Sequence, residues 1–207
     1  MKNMRRWGKQ RAADVDRLSG GRLGYVHISS MDDPSFRSVY ADILGKYNDR
    51  EGIVIDTRFN GGGRLHEDIE ILFSGKKYFT QVVRGREACD MPSRRWNKPS
   101  IMVTCEANYS NAHGTPWVYQ HQGIGKVVGM PVPGTMTSVS WETLQDPTLY
   151  FGIPIVGYRL PDGSYLENKQ LEPDVKIANS PEKIIKGEDE QLETAVKELL
   201  KEIDSKK

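Results

Sequence analysis

The sequence has 207 residues, which is enough for one domain with a sizeable hydrophobic core, or for one domain with an additional arm. Its 29 Lys and Arg residues nearly balance its 28 Asp and Glu residues, so the charge indicates neither a nucleic-acid partner nor a membrane-surface partner. A mean hydropathy of -0.59 and the lack of a long apolar run exclude a transmembrane helix.

Residues 1–19 are polar and basic and have no clear apolar stripe, so we interpret them as a linker stub or a detached helix. Because no apolar h-region follows Met1, the sequence indicates no secretory signal, and the compartment stays unassigned. The two cysteines, Cys89 and Cys105, have a spacing that matches no zinc or redox motif. Both thiols are interpreted as structural, and we predict no metal site and no cofactor.

From residue 20 to residue 207 strand and helix patterns alternate, which predicts one α/β domain with a largely parallel sheet. The continuous apolar runs at 52–56 and 100–105 are typical of strands that are covered on both faces. In chain order, the predicted elements are a strand at 23–28, a helix at 35–47, a strand at 52–56, a helix at 65–73, a strand at 78–83, a polar excursion at 87–99, a strand at 100–105, a helix at 110–121, a strand at 126–129, β segments at 149–156 and 157–160, and a helix at 188–203.

Ser110 lies at the turn between a predicted strand and a predicted helix. A serine in this position places its hydroxyl beside the free backbone N–H groups of a helix N-terminus, where a negatively charged oxygen can bind. This is the geometry of a serine nucleophile. The alternative is that Ser110 only caps the helix.

Three consecutive glycines, Gly61 to Gly63, follow another predicted strand. Glycine suits positions where φ is positive or where another group approaches the main chain closely. The sequence around them fits neither a phosphate loop nor a dinucleotide fingerprint. Two interpretations remain, a tight structural turn or a backbone N–H directed at a developing oxyanion. Both informative turns follow strands, and α/β folds place their sites at the carboxyl ends of strands.

Four segments occur in an order that resembles tricorn-type proteases, within the wider family of C-terminal processing (tail-specific) serine peptidases, peptidase family S41. They are Gly-Arg-Leu-Gly-Tyr-Val-His-Ile at 21–28, Ile-Val-Ile-Asp-Thr-Arg-Phe-Asn-Gly-Gly-Gly at 53–63, Glu-Ala-Asn-Tyr-Ser-Asn at 106–111 and Leu-Glu-Asn-Lys-Gln-Leu-Glu-Pro-Asp-Val at 166–175. The resemblance covers roughly residues 20 to 203. It implies a crotonase/ClpP-like α/β spiral core with the glycine-rich turn and the nucleophile turn at strand carboxyl ends.

The resemblance also implies roles for individual residues. Ser110 aligns with the nucleophile, and Asn111 falls on the position whose backbone N–H forms part of the oxyanion hole. The family has an acidic residue at that position, but a backbone donor does not require the acidic side chain. Gly61 or Gly62 would supply the other N–H. Glu167 falls on the carboxylate that polarises the catalytic network.

Two departures concern the general base. Thr135 occupies the position of the lysine that tail-specific proteases use, so a Ser–Lys dyad is not expected. Tricorn-type proteases use a histidine upstream of the core, past a PDZ-like domain, and we expect that histidine in a longer parent chain. Within this chain, His66 and His113 are the candidate substitute bases. No pair of histidines has a metal-ligand spacing.

The resulting prediction is a serine-type peptidase core that cleaves peptides or unfolded proteins through an acyl-enzyme on Ser110. The resemblance also implies assembly into homo-oligomers. The alternative is a catalytically silent peptide-binding module of the same fold, and the general base discriminates between the two. A crotonase-like acyl-CoA enzyme, which would need a CoA-binding region, and a purely structural subunit are the remaining alternatives.

Overall fold

The centre of the molecule is a five-stranded sheet in which all the strands are parallel. The computed structural model describes residues 2–206. The order across the sheet is β1, β2, β5, β6 and β9, and the strands span Leu23–His27, Gly52–Asp56, Ser100–Thr104, Lys126–Gly129 and Val175–Lys176. The predicted α/β class with a largely parallel sheet is therefore confirmed.

Helices cover both faces of this sheet. Those that connect consecutive strands lie together on one face, while the first and last long helices lie on the other face. The connecting helices are α2 (Asp33–Ala41), which continues as a π-helical turn over Asp42–Lys46, α3 (His66–Phe73) and α4 (Asn111–His121); the remaining helices are α1 (Lys2–Ser19), α5 (Pro181–Ile185) and α6 (Glu190–Ser205). This winding agrees with a spiral, although the crotonase/ClpP-like assignment itself stays a prediction.

Strand β2 shows why the sheet needs two layers of helices. All five of its residues are buried, and alternate side chains point to opposite faces. Ile53 and Ile55 join the core beneath the connecting helices, whereas Val54 joins the core beneath α1 and α6. The uninterrupted apolar run in the sequence therefore corresponds to a strand covered on both faces, as predicted.

Helix α1 packs against the domain and is not detached. Val15 is fully buried with β1 and α6 residues, and Trp7 lies edge-on to His27 with ring centroids 5.0 Å apart. The Arg11 guanidinium also donates to a carboxylate oxygen of Asp189 at 3.1 Å. The detached-helix interpretation was wrong because the apolar contacts of α1 are too few to form a continuous stripe in the sequence. That residues 20–207 alone form the catalytic core stays a prediction.

Two antiparallel hairpins project from the sheet. The first pairs β3 (Phe79–Val83) with β4 (Arg86–Met91), and the second pairs β7 (Ser138–Thr143) with β8 (Tyr150–Val156). The segment predicted as a polar excursion at 87–99 therefore contains all of β4 except its first residue, and the β segment predicted at 157–160 is reduced to a single bridge between Arg159 and Tyr165. Among the described helices, none is long and apolar enough to cross a membrane.

Candidate active site

Two turns meet at the carboxyl ends of the adjacent strands β2 and β5. The glycine turn follows β2 and the nucleophile turn follows β5. The N–H of Tyr109 donates to the carbonyl of Asn60 at 3.0 Å, and the Asn108 amide donates to the Thr57 hydroxyl at 2.9 Å. These buried bonds fix the position of the Ser110 backbone relative to the glycines.

Ser110 has an unusual backbone conformation. It stands at the N-cap of α4 with φ 54° and ψ -123°, and its side chain makes no capping hydrogen bond. A positive φ costs a non-glycine residue of order 1–3 kcal/mol and persists only where surrounding contacts impose it. The structure does not support the helix-cap interpretation, because the Ser110 hydroxyl makes no capping hydrogen bond.

Gly62 lies directly against the nucleophile turn. Its φ is +97°, and a Cβ on it would stand 2.6 Å from the Cβ of Ser110 and 3.2 Å from the nitrogen of Asn111. Its N–H donates to the side-chain oxygen of Asn60 at 2.8 Å. Gly61 is exposed, has open space around its Cα, and its N–H makes no hydrogen bond within residues 2–206. In this turn, Gly62 lets the backbone come close to Ser110, and Gly61 has a backbone N–H without an acceptor in the described chain.

The N-terminus of α4 supplies a second uncommitted donor. The next two residues, Ala112 and His113, donate their N–H groups to the carbonyls of Tyr109 and Ser110, but the N–H of Asn111 has no acceptor in the described chain. Such a group carries part of the positive end of the helix dipole. A serine hydroxyl and a free N–H at adjacent residues can bind an anionic oxygen together.

The Asn111 side chain joins α4 to the start of α3. Its oxygen accepts from the N–H groups of Leu65 and His66, at 2.8 and 3.1 Å, and its nitrogen lies 2.8 Å from Nδ1 of His66. The half-buried His66 ring also stands edge-on to Tyr158, with centroids 6.1 Å apart. His66 is therefore near the nucleophile turn, but it is bonded to Asn111 and not to Ser110.

A third loop, which follows β6, also contacts Ser110. The Thr135 hydroxyl accepts from the N–H of Ser110 at 3.0 Å. The half-buried Glu167 carboxylate accepts from the N–H of Thr137 at 2.6 Å. Glu167 therefore does not bond to Ser110 directly, and the segment at 135–137 connects the two.

His113 lies beneath this loop and is fully buried. Neither of its ring nitrogens has a hydrogen-bond partner among the described residues. Burial lowers the pKa of His113, while the backbone of Lys169 and the charge of Glu167 act in the opposite direction. As a candidate substitute base, His113 makes no contact with the Ser110 hydroxyl in this structure.

A buried ion-pair network supports the glycine turn. Arg58 donates to the carboxylates of Asp56 and Asp189 at distances down to 2.7 Å, and all three side chains are almost fully buried. Burial lowers the pKa of Arg58, but the two carboxylates outweigh this and raise it above the ordinary value. Burial also raises the pKa of Tyr25, whose hydroxyl donates to Asp56 at 2.9 Å.

The structure brings most of the candidate residues together. The backbones of Ser110, Asn111 and the glycine turn are in contact, and His66 joins them through Asn111. Glu167 is bonded to the third loop at Thr137, and the buried His113 lies within reach of the Glu167 charge. Sequence reasoning missed the roles of Asn60 and Asn108, which brace the two turns. Within residues 2–206, no group of three or more His, Cys, Asp or Glu side chains is arranged to hold a metal ion.

Several known proteins are similar to this chain. The tricorn protease homolog 1 of Streptomyces coelicolor is 29% identical over 195 residues, which cover 92% of this chain and 18% of that protein. The tricorn protease of Thermoplasma volcanium is 27% identical over 207 residues, covering 98% of this chain and 20% of that protein. The chain thus spans about a fifth of the length of these relatives. A crystal structure of the tricorn protease superposes with a TM-score of 0.86 at 24% identity, covering 96% of this chain and 19% of that one.

The family model of peptidase family S41 matches residues 22–177, about three quarters of the sequence. The matched region includes β1, both turns of the site and the loop that carries Glu167. The resemblance expected from the motifs is therefore confirmed, and the chain belongs to peptidase family S41.

Proposed function

We propose that this chain is the catalytic core of a serine-type peptidase, with Ser110 as the nucleophile. Its Oγ attacks a peptide carbonyl carbon while a general base takes the hydroxyl proton. The C–N bond then breaks, the amine leaves with that proton, and the acyl group stays on Ser110 as an ester. Water hydrolyses the ester, which releases the acid and restores the hydroxyl.

The conformation of Ser110 carries this proposal. A serine that only capped the N-terminus of a helix would have an extended backbone, and its side chain would accept a hydrogen bond from the first turn. Ser110 instead has a positive φ, and its hydroxyl makes no capping hydrogen bond. The free N–H of Asn111 lies next to it in the chain. The backbone cost of this conformation is understandable if the hydroxyl must face a substrate.

The oxyanion would be held by two backbone donors. One is the N–H of Asn111, and the other comes from the glycine turn. Gly61 has the uncommitted N–H, whereas Gly62 would have to share its N–H with Asn60 or release it. One such donor is typically worth about 3–4 kcal/mol of the activation barrier.

We infer that the general base comes from a segment outside residues 2–206. Neither the His66 ring nor the His113 ring is hydrogen-bonded to the Ser110 hydroxyl, and Thr135 stands where a Ser–Lys dyad would need its lysine. A histidine from an upstream segment, oriented by Glu167, is the arrangement that the tricorn resemblance implies. Peptide or unfolded-protein substrates, homo-oligomers and a longer parent chain with a PDZ-like region belong to the same proposal.

A fluorophosphonate probe followed by intact-mass analysis tests the nucleophile. A single adduct that is lost in Ser110→Ala supports the proposal. Ser180→Ala is the matched control, because Ser180 is also an N-cap serine without a side-chain capping bond, but has an ordinary φ of -78°. An adduct that persists in Ser110→Ala would contradict the assignment of Ser110.

The second candidate function is a catalytically silent peptide-binding module. It is favoured by the fact that neither imidazole is hydrogen-bonded to the Ser110 hydroxyl. If the chain shows no adduct, the same labelling on a chain extended upstream decides between the two. An adduct in the extended chain supports the peptidase, whereas peptide binding without an adduct in both forms supports the binding module.

A further inference from the structure

The Asn111 amide has only one orientation that satisfies its surroundings. The group that faces the N–H donors of Leu65 and His66 must be an acceptor, so the oxygen occupies that side. Asn111 is almost fully buried, and reversing the amide would oppose its NH₂ group to two backbone N–H groups. The amide nitrogen is thereby fixed towards Nδ1 of His66, 2.8 Å away.

This orientation determines which nitrogen of His66 carries the proton. An NH₂ group can only donate, so Nδ1 must accept. A neutral imidazole with an acceptor at Nδ1 has its proton at Nε2. Within residues 2–206, Nε2 of His66 makes no hydrogen bond. His66 therefore offers an N–H donor beside the nucleophile turn, and not the lone pair that a general base requires.

We propose that His66 is a substrate-positioning residue, in which the Nε2–H held by the Asn111 amide donates to a peptide oxygen bound beside Ser110. This inference rests on the proposed peptidase function. The ligand chemistry is an oxygen acceptor of a peptide, either a chain carbonyl or a terminal carboxylate. The edge-on contact with Tyr158 holds the ring from the other side.

The position of His66 fits this role. It begins α3 immediately after the glycine turn, and it is joined through Asn111 to the residue that follows Ser110. The same side-chain bonds hold the two proposed oxyanion donors at a fixed separation, because one lies on each of the joined segments. A peptide oxygen bound at His66 would thus be placed relative to the carbonyl that Ser110 attacks.

The first arm of the test measures the tautomer by long-range proton–nitrogen NMR on protein with ¹⁵N-labelled histidine, with His66→Gln used for assignment. We expect Nε2 of His66 to be protonated and Nδ1 to be the bare nitrogen. In Asn111→Asp, a carboxylate accepts from Nδ1, so the proton should move to Nδ1 and Nε2 should become the bare nitrogen. A protonated Nδ1 in the unchanged protein would overturn the proposal.

The second arm measures peptide binding by Ser110→Ala protein. An N-acetyl hexapeptide library is supplied both as C-terminal amides and as free acids, and the strongest binder of each set is titrated. We expect His66→Phe to weaken binding about three- to tenfold, the effect of losing one hydrogen bond. Gln should restore it, because its amide places a donor near Nε2. Equal loss for both sets indicates a chain carbonyl, and loss for the acids alone indicates a terminal carboxylate.

Unchanged affinity in His66→Phe, equal loss in the Phe and Gln variants, or no binder in either library would overturn the substrate role. Circular dichroism shows whether each variant is folded, and Asn111→Asp tests the same donor without altering His66. Neither arm uses turnover, so both measurements stay interpretable if the probe labels neither this chain nor the chain extended upstream, which is the result that would contradict the proposed peptidase.

Discussion

Gly62 lies so close to Ser110 that a Cβ on the glycine would stand 2.6 Å from the serine Cβ. This contact brings the turn after β2 into the immediate surroundings of the proposed nucleophile. It also explains why a residue without a side chain occupies a position with φ +97°. The neighbouring Gly61 has neither constraint, since its surroundings are open.

The two glycines therefore provide a matched pair of substitutions. Gly62→Ala should destabilise the fold by about 1–3 kcal/mol through the positive φ, with the clash added, and should abolish fluorophosphonate labelling. Gly61→Ala keeps its N–H and should stay folded and labelled. Thermal unfolding checks the stability, and intact-mass analysis of the chain extended upstream, which supplies the proposed general base, checks the labelling. Normal labelling of Gly62→Ala would mean that the close contact does not shape the site.

Thr135 is expected to fix the backbone of the nucleophile. Thr135→Val removes the acceptor of the Ser110 N–H and leaves a partly buried donor without a partner. We expect a loss of about 1–3 kcal/mol in the free energy of unfolding and slower labelling of Ser110. Thr135→Ser keeps the hydroxyl and should restore both. Denaturant unfolding and the labelling rates of the chain extended upstream test this, and equal behaviour of the Val and Ser variants would contradict it.

Arg58 is expected to be structurally important because it neutralises two buried carboxylates. Arg58→Met should lower the free energy of unfolding by about 3–5 kcal/mol, since Asp56 and Asp189 would remain buried without their principal partner. The matched control is Arg37→Met, which breaks an exposed pair with Asp33 and should cost no more than about 0.5 kcal/mol. Urea titrations compare the variants. Similar midpoints for both would show that the network is dispensable.

His113 should make stability depend on pH. Its pKa is lowered in the folded state by burial, from an ordinary value of 6.5, so the unfolded chain binds the proton more readily. Stability is therefore fully present above about pH 6.5 and is lost as the pH falls below it towards the folded-state pKa. In His113→Gln, the urea midpoint should vary less with pH than in the unchanged protein. The measurement runs from pH 5 to pH 7, a window of about two units around the ordinary histidine pKa.

The control for this prediction is His121→Gln. His121 is exposed and stacks on Trp117 with ring centroids 4.5 Å apart, so the substitution removes a histidine without removing a buried one. Its midpoint should vary with pH as in the unchanged protein. If His113→Gln shows that same variation, the buried ring does not account for the acid sensitivity.

The sequence predicted the strands that are buried on both faces, but of the four exposed hairpin strands it predicted only β3 and β8 and missed β4 and β7. Strand β2 was predicted with the bounds that the structure has, because an apolar run of that length fits little else. Strand β4 was missed because it pairs only with β3, buries almost none of its side chains and has no hydrophobic periodicity. Strand β9 is only two residues long and gives too short a pattern to detect.

The sequence also predicted only some of the residues of the candidate site. The motifs that resemble family S41 indicated Ser110, Asn111 and the glycines, whereas position alone left a helix cap and a tight turn as alternatives. Their roles remain a proposal, but their proximity is now a structural observation. The bracing residue Asn60 was missed because an asparagine in a glycine turn is ordinary turn composition.

By itself, the sequence determined the local structure, the family and the position of the nucleophile turn, since these depend on apolar runs, glycine and short motifs. Only the tertiary structure decided which backbone N–H groups are free, which nitrogen of His66 faces the Asn111 amide, and that α1 packs against the sheet. Those properties depend on contacts between segments far apart in the chain, such as Asn111 with His66 and Arg58 with Asp189. The strand order and register bring these segments together, so a local pattern does not contain them.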